Sequence, residues 1–166
     1  NDNHLKDFYR FDPAAASGQQ WKIVNGFGGY KRYYGTAFVI DDVAYICCGQ
    51  NNSTLVDDLW RFDGTDWKQL RDIADTDDDE DDDYAITRMG AVAFVIDGRG
   101  YLASGSRSGV TSDYWVYDPD QDLWYGDSDD DFTPMTDVHN VSSGASSRAY
   151  AVSFSTGKRG FVLTGA

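Results

Sequence analysis

The sequence predicts an all-β chain built as part of a β-propeller, and three observations carry that prediction. One block of sequence is written three times. A second, aromatic block recurs between the copies. No stretch of any length shows the 3.6-residue period of an amphipathic helix.

The first block reads AFVIDDVAYICCG at residues 37–49 and AFVIDGRGYLASG at residues 93–105, an offset of 56 residues. The match starts earlier, because Arg32 aligns with Arg88. A third copy, RAYAVSFSTGKRGFVLTG at residues 148–165, lies 60 residues beyond the second, with Arg148, Phe154, Gly160 and Gly165 on the matching positions. The second block reads DFYRFD at 7–12, DLWRFD at 58–63 and DYWVYD at 113–118, and each is followed by a tryptophan, Trp21, Trp67 or Trp124.

Each piece has strand character. AFVI and YICC are short, apolar and β-branched, and the turns Asp-Asp and Asp-Gly-Arg-Gly mark hairpins between buried strands. DLWRFD alternates with period two, Leu59 and Arg61 on one face and Trp60 and Phe62 on the other. The tryptophan stretch supplies a fourth strand. Four strands in about 50 residues is the size of a propeller blade, and blades resemble one another because each packs face to face on the next.

In chain order, residues 1–25 form a half blade (third and fourth strands), 32–70 a full blade, 88–125 a second full blade, and 148–166 a half blade (first and second strands). That makes a partial ring, where closed propellers have about four to eight blades. A free half-ring would expose apolar blade faces that soluble monomers seldom tolerate. The chain is therefore read as a segment of a propeller of about six blades. Its remaining blades come from the same longer chain or from a second copy, whose complementary half blades can pair by strand exchange.

Composition narrows the partners. Against 28 Asp+Glu there are 14 Lys+Arg, a formal net charge of −14. Such a chain repels phosphate backbones and anionic lipid, so nucleic-acid binding and membrane insertion are not expected. No apolar run is long enough to span a bilayer. The two cysteines, Cys47 and Cys48, are neighbours on a strand, poorly placed to bridge each other and expected to be packed thiols.

The repeated residues resemble the kelch repeat, in which a glycine pair ends the second strand, a Tyr lies in the third and a Trp in the fourth. Here the third strand and the Trp match, while the glycine pair is reduced to one, at Gly49, Gly105 and Gly165. An acidic stretch ending in Tyr before the next Arg, DDDEDDDYAITR at 77–88, is similar to kelch-type surface lipoproteins of Bacteroidetes. That resemblance implies an extracytoplasmic location, periplasmic or cell-surface, with any lipid anchor outside this segment. It covers essentially the whole chain, and it specifies fold more than function.

Three sets of residues are candidates for function. The acidic run includes Asp77, Asp79, Asp81 and Asp83, with a weaker echo at GDSDDDF, 126–132. Clustered carboxylates supply the hard oxygens that Ca2+ wants, although EF-hand spacing is absent. The other reading is a solvated, self-repelling loop. Arg32, Arg88 and Arg148 occupy one position in three successive repeats, just before the innermost strand. In kelch propellers, arginines placed so line the channel mouth, and their forks suit carboxylates; alternatively each pairs with an Asp or a carbonyl of a neighbouring blade. The loops after Gly49 and Gly105, with Gln50, Asn51, Asn52, Ser106 and Arg107, are expected on the same face, beside Tyr33 and Tyr34. Amides, hydroxyls and aromatics there suit a glycan or a peptide, and ordinary turn chemistry is the plainer explanation of any one of them.

Catalytic motifs are lacking. His4 and His139 are far apart, and no GxSxG, HExxH or Cys-His pattern occurs. The expected function is a non-catalytic binding or interaction module for protein or carbohydrate. The enzyme alternative follows from the resemblance: kelch-class sugar enzymes such as sialic-acid mutarotases, with galactose oxidase less well matched.

Overall fold

The computed structural model describes residues 5–24, 26–73, 85–126 and 147–166. Among them the chain is all-β. The first pair is β1 (Phe8–Phe11) and β2 (Trp21–Val24). The first full sheet takes β3 (Thr36–Ile40), β4 (Val43–Cys47), β7 (Trp60–Phe62) and β8 (Trp67–Gln69), and a small hairpin, β5 (Gln50–Asn51) and β6 (Thr54–Leu55), interrupts it. The second full sheet is β9 (Val92–Ile96), β10 (Arg99–Ala103), β11 (Tyr114–Asp118) and β12 (Leu123–Tyr125), and the last pair is β13 (Val152–Thr156) and β14 (Arg159–Leu163).

Every neighbouring pair is antiparallel, and both full sheets keep sequence order, β3-β4-β7-β8 and β9-β10-β11-β12. This is the blade plan, and the chain is a partial β-propeller of two four-stranded blades flanked by two strand pairs. The hairpin β5–β6 is a finding beyond the sequence reading, which expected a plain loop. Asn52 and Ser53 make its turn with φ of 47° and 69°, the left-handed pair that a two-residue hairpin requires.

The core lies between sheets. Phe38 stacks on Tyr45 of its own blade at 5.2 Å, tilts against Tyr117 of the next and meets its Trp124 edge to face. Gly100 makes room for it: a Cβ there would sit 2.5 Å from the Phe38 ring. One blade on, Phe94 covers Gly160 in the same way, where a Cβ would come within 2.3 Å. Thus the Phe of each first strand packs on a glycine in the second strand of the following blade, which is why both recur in the sequence. Tyr117 donates to Asp122 at 2.8 Å, and burial, then that carboxylate, push its hydroxyl far above its ordinary value.

At both ends the same positions lie open. Phe11, Phe154 and Phe161 are exposed, whereas their counterparts Tyr117, Phe38 and Tyr45 in the full sheets are buried. The outer faces of the two strand pairs are therefore not covered by the described residues.

Candidate functional site

The three repeats converge where each chain segment enters its first strand. Arg88 is completely buried. Its Nε donates to the Ile86 carbonyl at 2.8 Å, Nη1 to the Ser104 carbonyl at 2.9 Å and Asp113 at 2.8 Å, and Nη2 to the Ala85 carbonyl and Asp113, both at 2.7 Å. Arg32 repeats the scheme, with Nε on the Tyr30 carbonyl at 3.2 Å, Nη1 on the Cys48 carbonyl at 3.1 Å and Nη2 on Asp58 at 2.5 Å. Arg148 repeats its carbonyl part, Nη1 donating to Thr164 at 3.2 Å.

Asp58 and Asp113 are the first residues of the aromatic motifs DLWRFD and DYWVYD. Each also accepts from the indole N–H two residues on, Trp60 at 2.8 Å and Trp115 at 3.0 Å. Burial alone would raise the Asp113 carboxyl, but the Arg88 hydrogen bonds and charge outweigh it, and the group lies below its ordinary value. So the carboxylate partners come from the same blade's third strand. The forks of Arg32 and Arg88 are engaged within the chain, beneath the surface that the loops form.

The carbonyls these arginines capture belong to Cys48, Ser104 and Thr164, which have φ of 60°, 60° and 62°. These residues stand where a kelch repeat has the first glycine of its pair. The chain departs from the pair in residue type and keeps its left-handed backbone, at a cost of about 1–2 kcal/mol for each non-glycine residue. The second position remains glycine for a plain reason: a Cβ on Gly49 or Gly165 would lie 2.8 Å from a backbone carbonyl oxygen.

The loop after each glycine folds back beside the arginine. Tyr33 and Gln50 exchange backbone hydrogen bonds at 3.1 and 3.0 Å, Met89 and Ser106 at 2.9 and 2.8 Å, Ala149 and Ala166 at 2.8 and 2.9 Å. This brings Gln50 and Ser106 to the arginine entrances. The Tyr33 hydroxyl also donates to Gln50 Oε1. Asn51 and Asn52 line a cavity of about 370 Å³ with Tyr30, Thr54, Leu55 and Asp57. Arg107 is exposed in the corresponding loop of the next blade.

Sequence reasoning named Tyr34 among the aromatics of this face, but not that the residue two after each arginine forms a series. Tyr34, Gly90 and Tyr150 have φ of 54°, 62° and 55°. A backbone ladder explains the shared conformation: the Gly90 N–H donates to the Tyr34 carbonyl at 3.0 Å, and the Tyr150 N–H to the Gly90 carbonyl at 2.8 Å. The glycine in the middle repeat was the available signal, because glycine is the residue this backbone favours.

Cys47 and Cys48 are free thiols, both fully buried. Their hydrogen bond and burial push the Cys47 thiol well up, which keeps it neutral. Asp77, Asp79, Asp81 and Asp83, like the second acidic stretch and both histidines, lie outside the described residues.

No family model matches the chain, and no curated protein matches it in sequence. Among solved structures it is similar to the one titled "Structure of YjhT", with a TM-score of 0.64 at 16% identity, covering 95% of this chain and 51% of that one. The chain thus spans about half the length of that structure. The likeness is one of fold, a kelch-type propeller.

Proposed function

We propose that the chain is part of an extracytoplasmic, bacterial kelch-type propeller that binds a glycan or protein without turning it over. The ligand contacts the rim formed by Gln50, Asn51 and Asn52 in one blade and Ser106 and Arg107 in the next. The observation that carries this reading is the repeated back-pairing of loop onto arginine entrance, which holds Gln50 and Ser106 at the same position in consecutive blades. Arg32 and Arg88 serve that rim by fixing its base, and Arg148 extends the series to a third blade. Ligand sites fix orientation through a few placed amides and hydroxyls.

Glycan-array and pull-down binding test the reading, with Asn51→Ala and Arg107→Ala as rim variants. Binding that both variants weaken supports it. Binding indifferent to every rim variant refutes it. Sugar anomer exchange that saturates and is abolished by Arg88→Ala, in a variant shown to stay folded, transfers the case to the kelch-class sugar enzymes.

A further inference from the structure

We propose that Tyr34 and Tyr150, with Tyr33 beside them, form a stacking platform for the ring of a neutral saccharide. This rests on the binding reading above and names its ligand class. The ladder from Tyr34 through Gly90 to Tyr150 requires a left-handed residue in each repeat, and Gly90 satisfies it without strain. The flanking repeats place tyrosine there instead, in a backbone that disfavours any side chain.

The side chains are not used to fill a core. Tyr34 is 54% and Tyr150 46% exposed. Gly90 lets them meet, since a Cβ on it would lie 2.6 Å from the Tyr150 ring. The rings of Tyr34 and Tyr150 are 4.8 Å apart, tilted by 60°, and Tyr33 adds a third ring 4.9 Å from Tyr34. The result is one contiguous, solvent-facing aromatic surface spanning blades, with the Gln50 amide at its edge through the Tyr33 hydroxyl. Strained backbone that supports exposed aromatics marks a functional surface.

The chemistry selects the ligand. A net charge of −14 disfavours anions, and the forks of Arg32 and Arg88 are engaged below. The tyrosines touch one another, so no cage is left between them for a quaternary ammonium. An uncharged ring with an apolar face and hydroxyl edges fits an aromatic surface bordered by an amide.

The test is saturation-transfer NMR on the purified protein with neutral cello-, manno-, xylo-, galacto- and N-acetylchito-oligosaccharides, alongside tetramethylammonium and a lysine-rich peptide. At least one saccharide is expected to show transfer to its ring C–H protons. Tyr34→Gly and Tyr150→Gly should each weaken it about fivefold, with the melting temperature held or raised because glycine relieves the left-handed backbone. If Tyr34→Gly lowers stability and binding together, Tyr34→Phe decides: it keeps the ring, and retained binding supports the platform while lost binding overturns it. Saccharide binding that survives both glycine variants but falls with Asn51→Ala overturns the platform and leaves the rim reading standing. Binding of only the cationic probes, or of no saccharide while pull-down finds a protein ligand, overturns it as well.

Discussion

Replacing Arg88 by methionine keeps most of the aliphatic volume and removes a guanidinium that has no exposure. What remains is a set of stranded acceptors: the carbonyls of Ala85, Ile86 and Ser104, and the Asp113 carboxylate. Breaking a buried pair by deleting one partner costs about 3–5 kcal/mol. The Asp113 side chain is 35% exposed, so water recovers part of its solvation, which places the expected loss near the lower end, about 3 kcal/mol. For a chain of this length that is a fall in melting temperature of about 6–12 °C. Adding Asp113→Asn removes the stranded charge while its amide oxygen can still accept from Trp115, so the double variant should regain about 1 kcal/mol. Thermal and urea unfolding of the parent, both single variants and the double variant measure the cycle. An Arg88→Met protein that melts within about 2 °C of the parent, yet loses ligand, would refute the reasoning and make the arginine a binding residue.

Other expectations follow from the same geometry. The Asp113 carboxyl is depressed, so its contribution is complete above the unfolded value of about 3.9 and is lost as pH falls through the folded value; the stability gap between the parent and Asp113→Asn should narrow on acidification below about pH 4. Ser104 combines left-handed backbone with a buried hydroxyl that has no hydrogen-bond partner among the described residues, so Ser104→Gly should stabilise by about 1 kcal/mol, read as a rise in melting temperature. Gly100→Val forces a branched side chain against the Phe38 ring and should destabilise by about 1–3 kcal/mol in urea unfolding. Calcium binding by Asp77, Asp79, Asp81 and Asp83 predicts a melting temperature that rises with millimolar calcium and falls back with chelator; an unchanged melting curve removes the metal from the account.

The blades were legible in the sequence because each repeat must bury the same aromatic layer against its neighbour, so Phe38, Phe94, Gly100 and Gly160 recur at fixed offsets. The small hairpin at residues 50–55 was not legible, since two-residue strands of polar side chains carry no hydrophobic period. The arginine positions were recognised, but their partners were sought in the neighbouring blades. Asp58 and Asp113 stand 26 and 25 residues beyond their arginines, and pairing over that distance follows from strand order rather than from local sequence. Tyr34 was read as an exposed aromatic beside the loops and Tyr150 was passed over, because only the backbone shows the left-handed conformation the two share with Gly90.

The ion pair that joins the entry of a blade's first strand to the entry of its third also acts as a latch. Its two parts are divided between the ends of this chain: Arg148 opens the last strand pair, and Asp7 opens the aromatic motif of the first. Both full blades set the same register between second and third strands, Tyr45 opposite Arg61 and Tyr101 opposite Val116. A blade assembled from one half of each kind would, by that register, set Phe161 opposite Arg10 and Leu163 opposite Phe8. It would bring an Asp7-type carboxylate to Arg148, whether the second half comes from a longer chain or from another copy. Asp7→Asn would then leave its own strand pair intact and weaken only the joining of the two halves of that blade, a defect visible in assembly and silent in local folding.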